Sequence, residues 1–233
     1  VPTTTVLLVR HGESVVTVRQ VVGGLGTCEG LSALGVRQAE ALRERLTQEQ
    51  IPVDMLWSST LPRALETAQI LAPALGGTAV STDAELVEQW HGDAEGLSFA
   101  EARRRYEFFD MRAEPDRTFA PGGESLRDFH HRVASALARL VHAHVDQTVL
   151  VVCHGGVIDV AFRVFLRLGL QTPFNLWTVN TSITEFVVPH ETMPGPAIEG
   201  ADIASVSASL PILRRYNDSA HLLGLPQRTP VAS

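Results

Sequence analysis

Only two cysteines, Cys28 and Cys153, occur in 233 residues. That number cannot build a disulfide scaffold and fits a reducing compartment, so a cytoplasmic protein is expected. Long apolar runs are missing as well: none approaches the roughly 18 residues that a membrane-spanning helix needs. The start, Val1-Pro2-Thr3-Thr4-Thr5, has neither the basic region nor the apolar stretch of a signal peptide. It begins without methionine, which leaves room for a segment removed earlier. Nor is there a basic excess. The formal charge is −7, so neither nucleic acid nor an anionic membrane surface is an expected partner. Any anionic ligand must then be held by local arginines rather than by the field of the whole chain. Two catalytic motifs are absent too. Gly12-Glu13-Ser14 and Gly123-Glu124-Ser125 lack the closing glycine of a hydrolase nucleophile elbow, and no phosphate-binding loop with its lysine is present.

What remains is a globular composition, 45% hydrophobic and 19% charged, long enough for one domain over residues 1–233. Strand-like and helix-like pieces alternate, which predicts an α/β three-layer sandwich: a mainly parallel sheet with helices on both faces. Strands are expected over 5–10, 53–58, 79–82 at an edge, 183–188 and 212–215. Helices are expected over 32–48, over 61–75 with Pro62 in the first turn, and after Pro121-Gly122-Gly123. In the last of these Ser125 and Asp128 have capping-box spacing, ahead of an apolar stripe through Leu126, Phe129, Val133, Leu137 and Leu140. The Pro/Gly-broken stretch 191–200 reads as a surface connection.

Two buried-strand patterns empty into a histidine followed by glycine. Val6-Leu7-Leu8-Val9 leads to Arg10-His11-Gly12, and Val149-Leu150-Val151-Val152 leads to Cys153-His154-Gly155-Gly156. Ligands of open α/β sheets sit where strands end and helices begin. A phosphoryl group spreads its charge over three oxygens and calls for planar cations and open backbone N–H groups. Arg10 and Ser14 flank His11. Arg63 opens a helix after Ser58-Ser59, and His154 stands at the mouth of the helix that starts at Gly155, an anion-attracting place. These basic groups at three strand ends predict a converging phosphate pocket.

The ordered motifs resemble one known family. Leu8-Val9-Arg10-His11-Gly12-Glu13-Ser14 is similar to the signature of the histidine phosphatase superfamily, the phosphoglycerate-mutase-like group. Ser58 to Ala68, Pro121-Gly122-Gly123-Glu124-Ser125, His154-Gly155-Gly156 and Arg215 to Leu222 resemble its later blocks, in order over nearly the whole chain. The resemblance implies the phosphoglycerate-mutase-like fold and a phosphoryl group carried on His11, clamped by Arg10, Arg63 and His154. It implies further contacts from Ser14, Thr17 and Gly155, with Glu88 as general acid and then general base. Thr17 stands where many relatives have asparagine, so that contact would be shorter in reach. The expected substrate is a small phosphomonoester, with no metal, no cofactor and, at most, a second copy of the chain as a homodimer.

Each residue has a plainer reading. Glu85, Asp93 and Glu95 compete with Glu88 as solvated or capping carboxylates. Cys153 is followed six positions on by Asp159, not by the arginine of a cysteine phosphatase, and reads as a small buried filler. His130, His131, His142 and His144 read as surface histidines, since His131 and His142 lie about 16 Å apart along a helix. Arg103-Arg104-Arg105 reads as a solvated face. Residues 88–121, with Trp90, Tyr106, Phe108, Phe109 and Met111, are expected to form a helical lid-like insertion tolerant of an apolar group. Hydrolysis is preferred over a phosphoglycerate-type mutase, because Glu88 and Gly123 lie close in sequence and the turn Gly155-Gly156-Val157-Ile158 departs from the mutase form. An inactive binding module is the remaining reading. The intact Arg10, His11, Arg63 and His154 argue against it.

Overall fold

The computed structural model describes residues 1–190 and 210–226. Strands β1 (Thr3–Arg10), β2 (Met55–Ser59), β3 (Val80–Asp83), β4 (Thr148–Cys153), β5 (Ile183–Pro189) and β6 (Ile212–Asp218) form one sheet in the order β3-β2-β4-β1-β5-β6. The pairs β3–β2, β2–β4 and β4–β1 are parallel, while β5 runs against both β1 and β6. The sheet is therefore mainly parallel, with β5 as the reversed strand.

Alternation along the central strands sorts side chains to two cores. Leu7, Val9, Leu56, Leu150 and Val152 face helices α2 (Ala33–Glu49) and α3 (Pro62–Leu71), meeting Leu42, Leu46, Ala64, Ala68 and Leu71. Val6, Leu8, Val149 and Val151 face α5 (Leu126–Ala143) and α6 (Gly155–Phe165), meeting Val133, Leu137, Val157 and Phe165. Both faces of β1 and β4 are thus covered, which is why their sequences are continuous apolar runs. Two short helices, α1 (Val15–Val18) and α4 (Phe99–Arg105), lie outside these layers.

Several boundaries differ from the sequence expectation for identifiable reasons. The helix expected over 61–75 ends at Leu71 and tightens into a 3₁₀ turn, Ala72–Leu75. Pro73 lacks the N–H that an α-helical turn would use there. Ser125 does cap α5 by accepting from the Asp128 amide (3.1 Å), but its hydroxyl then binds the Asp128 carboxylate (2.6 Å), so the reciprocal half of the box is missing. A full capping box stands instead at Ser98 and Glu101, where α4 begins. The stretch 191–200 lies outside the described residues.

Packing at one point sets the approach of a loop to the sheet. A Cβ added at Gly12 would lie 2.5 Å from the Gly35 carbonyl oxygen, so the start of α2 rests directly on the turn after β1. Any larger residue at either position would push His11 away from the strand ends.

Candidate active site

Strands β2, β4 and β1 are neighbours and end at one edge of the sheet, in the register Ser58–Val152 and Arg10–Cys153. Their ends deliver Arg10 and His11, then His154, and then Arg63 in the first turn of α3. Arg63 Nε donates to His11 Nε2 at 3.1 Å. His11 Nδ1 lies 2.6 Å from the Gly12 carbonyl oxygen, so this nitrogen carries the proton and Nε2 keeps its lone pair. The His11 and His154 ring centroids are 5.1 Å apart. Arg10, His11, Arg63, Glu88, Ser14 and Thr17 line one cavity of about 660 Å³.

Residues outside the predicted set hold these groups in place. Ser59 accepts a bond from the Leu61 amide (3.3 Å), which leaves its hydroxyl proton for His154 Nε2 (2.8 Å). Ser59 donating to Nε2 would place the His154 proton on Nδ1. Asn180 Nδ2 donates to the His11 carbonyl oxygen (2.8 Å), and the Thr181 amide donates to that of Arg10 (2.8 Å). Arg10 also donates to the Thr178 carbonyl and lies over the Trp177 ring, 5.8 Å from its centroid. The segment before β5 is thus a brace for the end of β1. Ser59 had a visible signal, as the last strand residue before a capless helix. Asn180 had none, because its partner is 169 positions away.

Three buried nitrogens of this cluster, Arg10 Nε, Arg63 Nη1 and His154 Nδ1, have no hydrogen-bond partner among the described residues. An unpaired buried donor costs about 1–3 kcal/mol, and more when charged. A bound oxyanion is the kind of acceptor these groups lack. Burial, then Arg63 and Arg10, hold the His11 pKa well below its ordinary value, against the pull of the Gly12 carbonyl. Burial, then Arg63, His11 and Arg10, do the same to His154.

Both histidines are therefore neutral in the native protein, and that has a cost at low pH. The unfolded chain takes up protons near pH 6.5, whereas these buried rings do not, so stability falls as pH drops below that value. Each such ring contributes a slope of up to about 1.4 kcal/mol per pH unit. The denaturant midpoint is expected to fall between pH 7 and pH 5.5, and less steeply in His154→Asn. A flat wild-type midpoint over that interval would contradict the assignment of neutral rings.

Glu88 follows a 3₁₀ turn, Ala84–Leu86, and reaches back to α6. The Gly156 amide donates to its Oε2 (3.1 Å) and the Gln89 amide to its Oε1 (3.1 Å). A Cβ at Gly156 would lie 2.2 Å from that carboxylate, so only glycine admits the contact. Behind this loop, Arg132 of α5 forms a two-pronged pair with Glu124 (2.8 and 2.7 Å). The same guanidinium donates to the carbonyls of Glu85 (2.7 Å), Val87 (3.1 Å) and Glu88 (3.4 Å). Glu124 in turn takes Gln89 Nε2 on its carbonyl, and its amide donates to the Trp90 carbonyl. The buried Glu124–Arg132 pair clamps the whole 85–90 stretch.

Other predicted residues fall less simply. Ser14 caps α1 and its hydroxyl pairs with that of Thr17 at 2.9 Å, so the two act as one unit on the cavity wall. Gly155 is the first residue of α6. Trp90 does not line the cavity; it stacks with Arg132, whose guanidinium carbon lies 4.9 Å from the ring. Phe109 lies under Arg117 (4.2 Å) and Tyr106 against Phe119 (5.8 Å), whereas Phe108 and Met111 do face the cavity. Arg103 is exposed as expected, yet it lines the cavity mouth too. His131 and His142 are exposed, but His144 is buried and accepts from Trp57 Nε1 at 3.2 Å, and His130 is half-buried with its Nε2 shielded from solvent, so the surface reading fails for these two. Cys153 is fully buried, and burial pushes its thiol pKa up. Among the described residues no three His, Cys, Asp or Glu side chains are grouped to hold a metal ion, and no helix is long and apolar enough to cross a membrane.

The sheet order and the strand-end cations define an α/β protein of the phosphoglycerate-mutase-like class. The chain belongs to the histidine phosphatase superfamily (branch 1), whose family model matches residues 6–194. It is 38% identical over 157 residues to phosphoglycerate mutase-like protein 4 of Arabidopsis thaliana, covering 66% of this chain and 67% of that protein. It is 32% identical over 169 residues to a metal-independent phosphoserine phosphatase of the same plant, covering 71% and 68%. Among solved structures, mycobacterial glucosyl-3-phosphoglycerate phosphatase Rv2419c superimposes with a TM-score of 0.72 at 26% identity, covering 93% of this chain and 99% of that one. The chain spans only half the length of the mycobacterial relatives that it matches at 35% identity.

Proposed function

We propose that this protein is a phosphomonoester hydrolase that works through a phosphohistidine on His11. The observation that carries the reading is the unpaired set Arg10 Nε, Arg63 Nη1 and His154 Nδ1 beside His11, which lines the cavity with its proton on Nδ1 and its Nε2 lone pair held by Arg63 Nε. His11 Nε2 attacks phosphorus as the ester P–O bond breaks, and the Glu88 carboxyl gives its proton to the leaving alkoxide. Water then attacks the phosphohistidine, and Glu88 takes its proton. The P–N bond breaks and its electron pair returns to Nε2. Arg10, Arg63, His154 and the first turn of α6 stabilise the charge that builds on the three phosphoryl oxygens. Ser14 and Thr17 supply a paired hydroxyl contact at the rim of that group.

Two relatives with phosphatase names support hydrolysis, and one with a mutase-like name keeps phosphoryl return to substrate as the second reading. Incubation with 3-phosphoglycerate, with and without a bisphosphoglycerate primer, separates the two: free phosphate or an isomerised ester. Rapid quench during turnover is expected to trap protein-bound phosphate that is labile to acid and stable to alkali. Trapped phosphate with the opposite lability would exclude the histidine intermediate.

The clamp behind Glu88 makes its own prediction. In Arg132→Lys the charge survives but the fork that holds Glu124 and three carbonyls does not. Misplacing a catalytic group by about 1 Å can cost about 10²-fold. The kcat/KM for alkyl esters is therefore expected to fall by ten- to a hundredfold, and that for p-nitrophenyl phosphate by much less, because its leaving group needs no proton in the first step. Equal losses on both esters would assign Arg132 to folding alone.

A further inference from the structure

The phosphate cluster occupies only the floor of the 660 Å³ cavity, and the rest of the wall is a different surface. On one side stand Val16 and Val22, both buried, with Val21 beside them. On the other stand Phe99, Met111 and Phe119 from the segment between Glu88 and Pro121. Phe119 is held upright by edge contacts to Tyr106 and His91, with centroids at 5.8 and 6.5 Å. Beyond the floor the only fixed charge on the wall, among the described residues, is Arg103, at the mouth, where it lies over exposed Phe108 (5.2 Å). The chain contains no lysine at all, and residues 191–209 contain no arginine.

This charge pattern discriminates among phosphate esters. A second anion close to the phosphoryl group, a carboxylate or another phosphate, would face a mostly apolar wall in which Gln20 and His91 are the polar side chains, with no cation short of Arg103 at the mouth. Unpaired burial of a charge is heavily penalised. An apolar alcohol would instead remove its own surface and that of the wall from water. We infer that the substrates are monoesters whose only anionic group is the phosphate and whose alcohol is apolar, aromatic or a short hydrocarbon chain. At the mouth, the planar Arg103–Phe108 stack offers a platform for a ring. The inference rests on the phosphatase reading and adds the substrate class to it.

The test compares kcat/KM for esters of similar primary alcohols: 3-phenylpropyl phosphate against O-phosphoserine and 3-phosphoglycerate. One methylene in a fitted pocket is worth about 10- to 200-fold, so a preference of about 10²-fold for the phenylpropyl ester is expected. Met111→Arg places a cation in the apolar wall at a half-exposed position and is expected to shift that ratio toward the charged esters by about tenfold. If the charged esters lead in the wild type, and Arg103→Ala removes that lead, Arg103 reads a carboxylate and the inference is overturned while the phosphatase reading stands. An unchanged ratio in Met111→Arg overturns the role given to the wall. Failure to release phosphate from any of the three esters, or from p-nitrophenyl phosphate, overturns the phosphatase reading and the inference together.

Discussion

His11→Ala is expected to abolish turnover and the acid-labile phosphoprotein together, while the circular dichroism and the unfolding midpoint stay near wild type. The ring is 5% exposed and contributes little apolar packing, so its removal leaves the two cores on either side of the sheet intact. What is lost is the nucleophile itself. A nucleophile flanked by two guanidinium groups reacts only as neutral imidazole, and burial with Arg63 and Arg10 beside it secures that form. The Gly12 carbonyl fixes the proton on Nδ1, so the reactive pair on Nε2 needs no general base. Because the native ring resists protonation, the acid limb contributed by free His11 should lie well below the ordinary imidazole value. His11→Asn keeps the size of the ring's inner half and should be just as inactive. Residual release of phosphate above about one part in a thousand of wild type would mean that another group carries the phosphoryl transfer.

The residues that touch the proposed phosphate were legible in the sequence because each lies at a strand end marked by a local signal. Val6 to Val9 and Val149 to Val152 advertise buried strands, and the glycines after them advertise sharp turns into helices. Local signals do not carry pairing between distant segments. Glu124 stands in a motif block and Arg132 carries no sequence signal, yet Arg132, paired with Glu124, grips the carbonyls of residues 85, 87 and 88, some forty positions earlier. Asn180 likewise acts on a backbone oxygen at the other end of the chain. The 88–121 stretch was read as a lid from its aromatics, but composition does not say which way a ring points. Trp90 and Phe109 each turn to cover an arginine, and Phe99 and Phe119 take their place on the cavity wall. His144 failed for a related reason. It lies just beyond the end of α5, outside helical geometry, where its ring accepts from Trp57.

Glu88→Gln is expected to slow hydrolysis of alkyl phosphates by about 10²–10⁴, the usual worth of general acid–base catalysis. The amide keeps the shape and one oxygen for the Gly156 amide, so the loop between β3 and the Glu124–Arg132 clamp should hold its place. It cannot give up a proton to an alkoxide, and it cannot take one from water. These two deficits fall on different steps and can be read apart. With an alkyl ester the first step is slowed, and little phosphoenzyme accumulates. With p-nitrophenyl phosphate the leaving group departs without a proton, so the first step survives as a burst of nitrophenol. The second step then limits, and phosphohistidine accumulates on the protein. A burst with one ester and none with the other is the signature of a single carboxyl group serving both halves of the reaction. Equal slowing of every ester, with no accumulation on the good leaving group, would move the acid role to Glu85, Asp93 or Glu95 and leave Glu88 as a tether for α6.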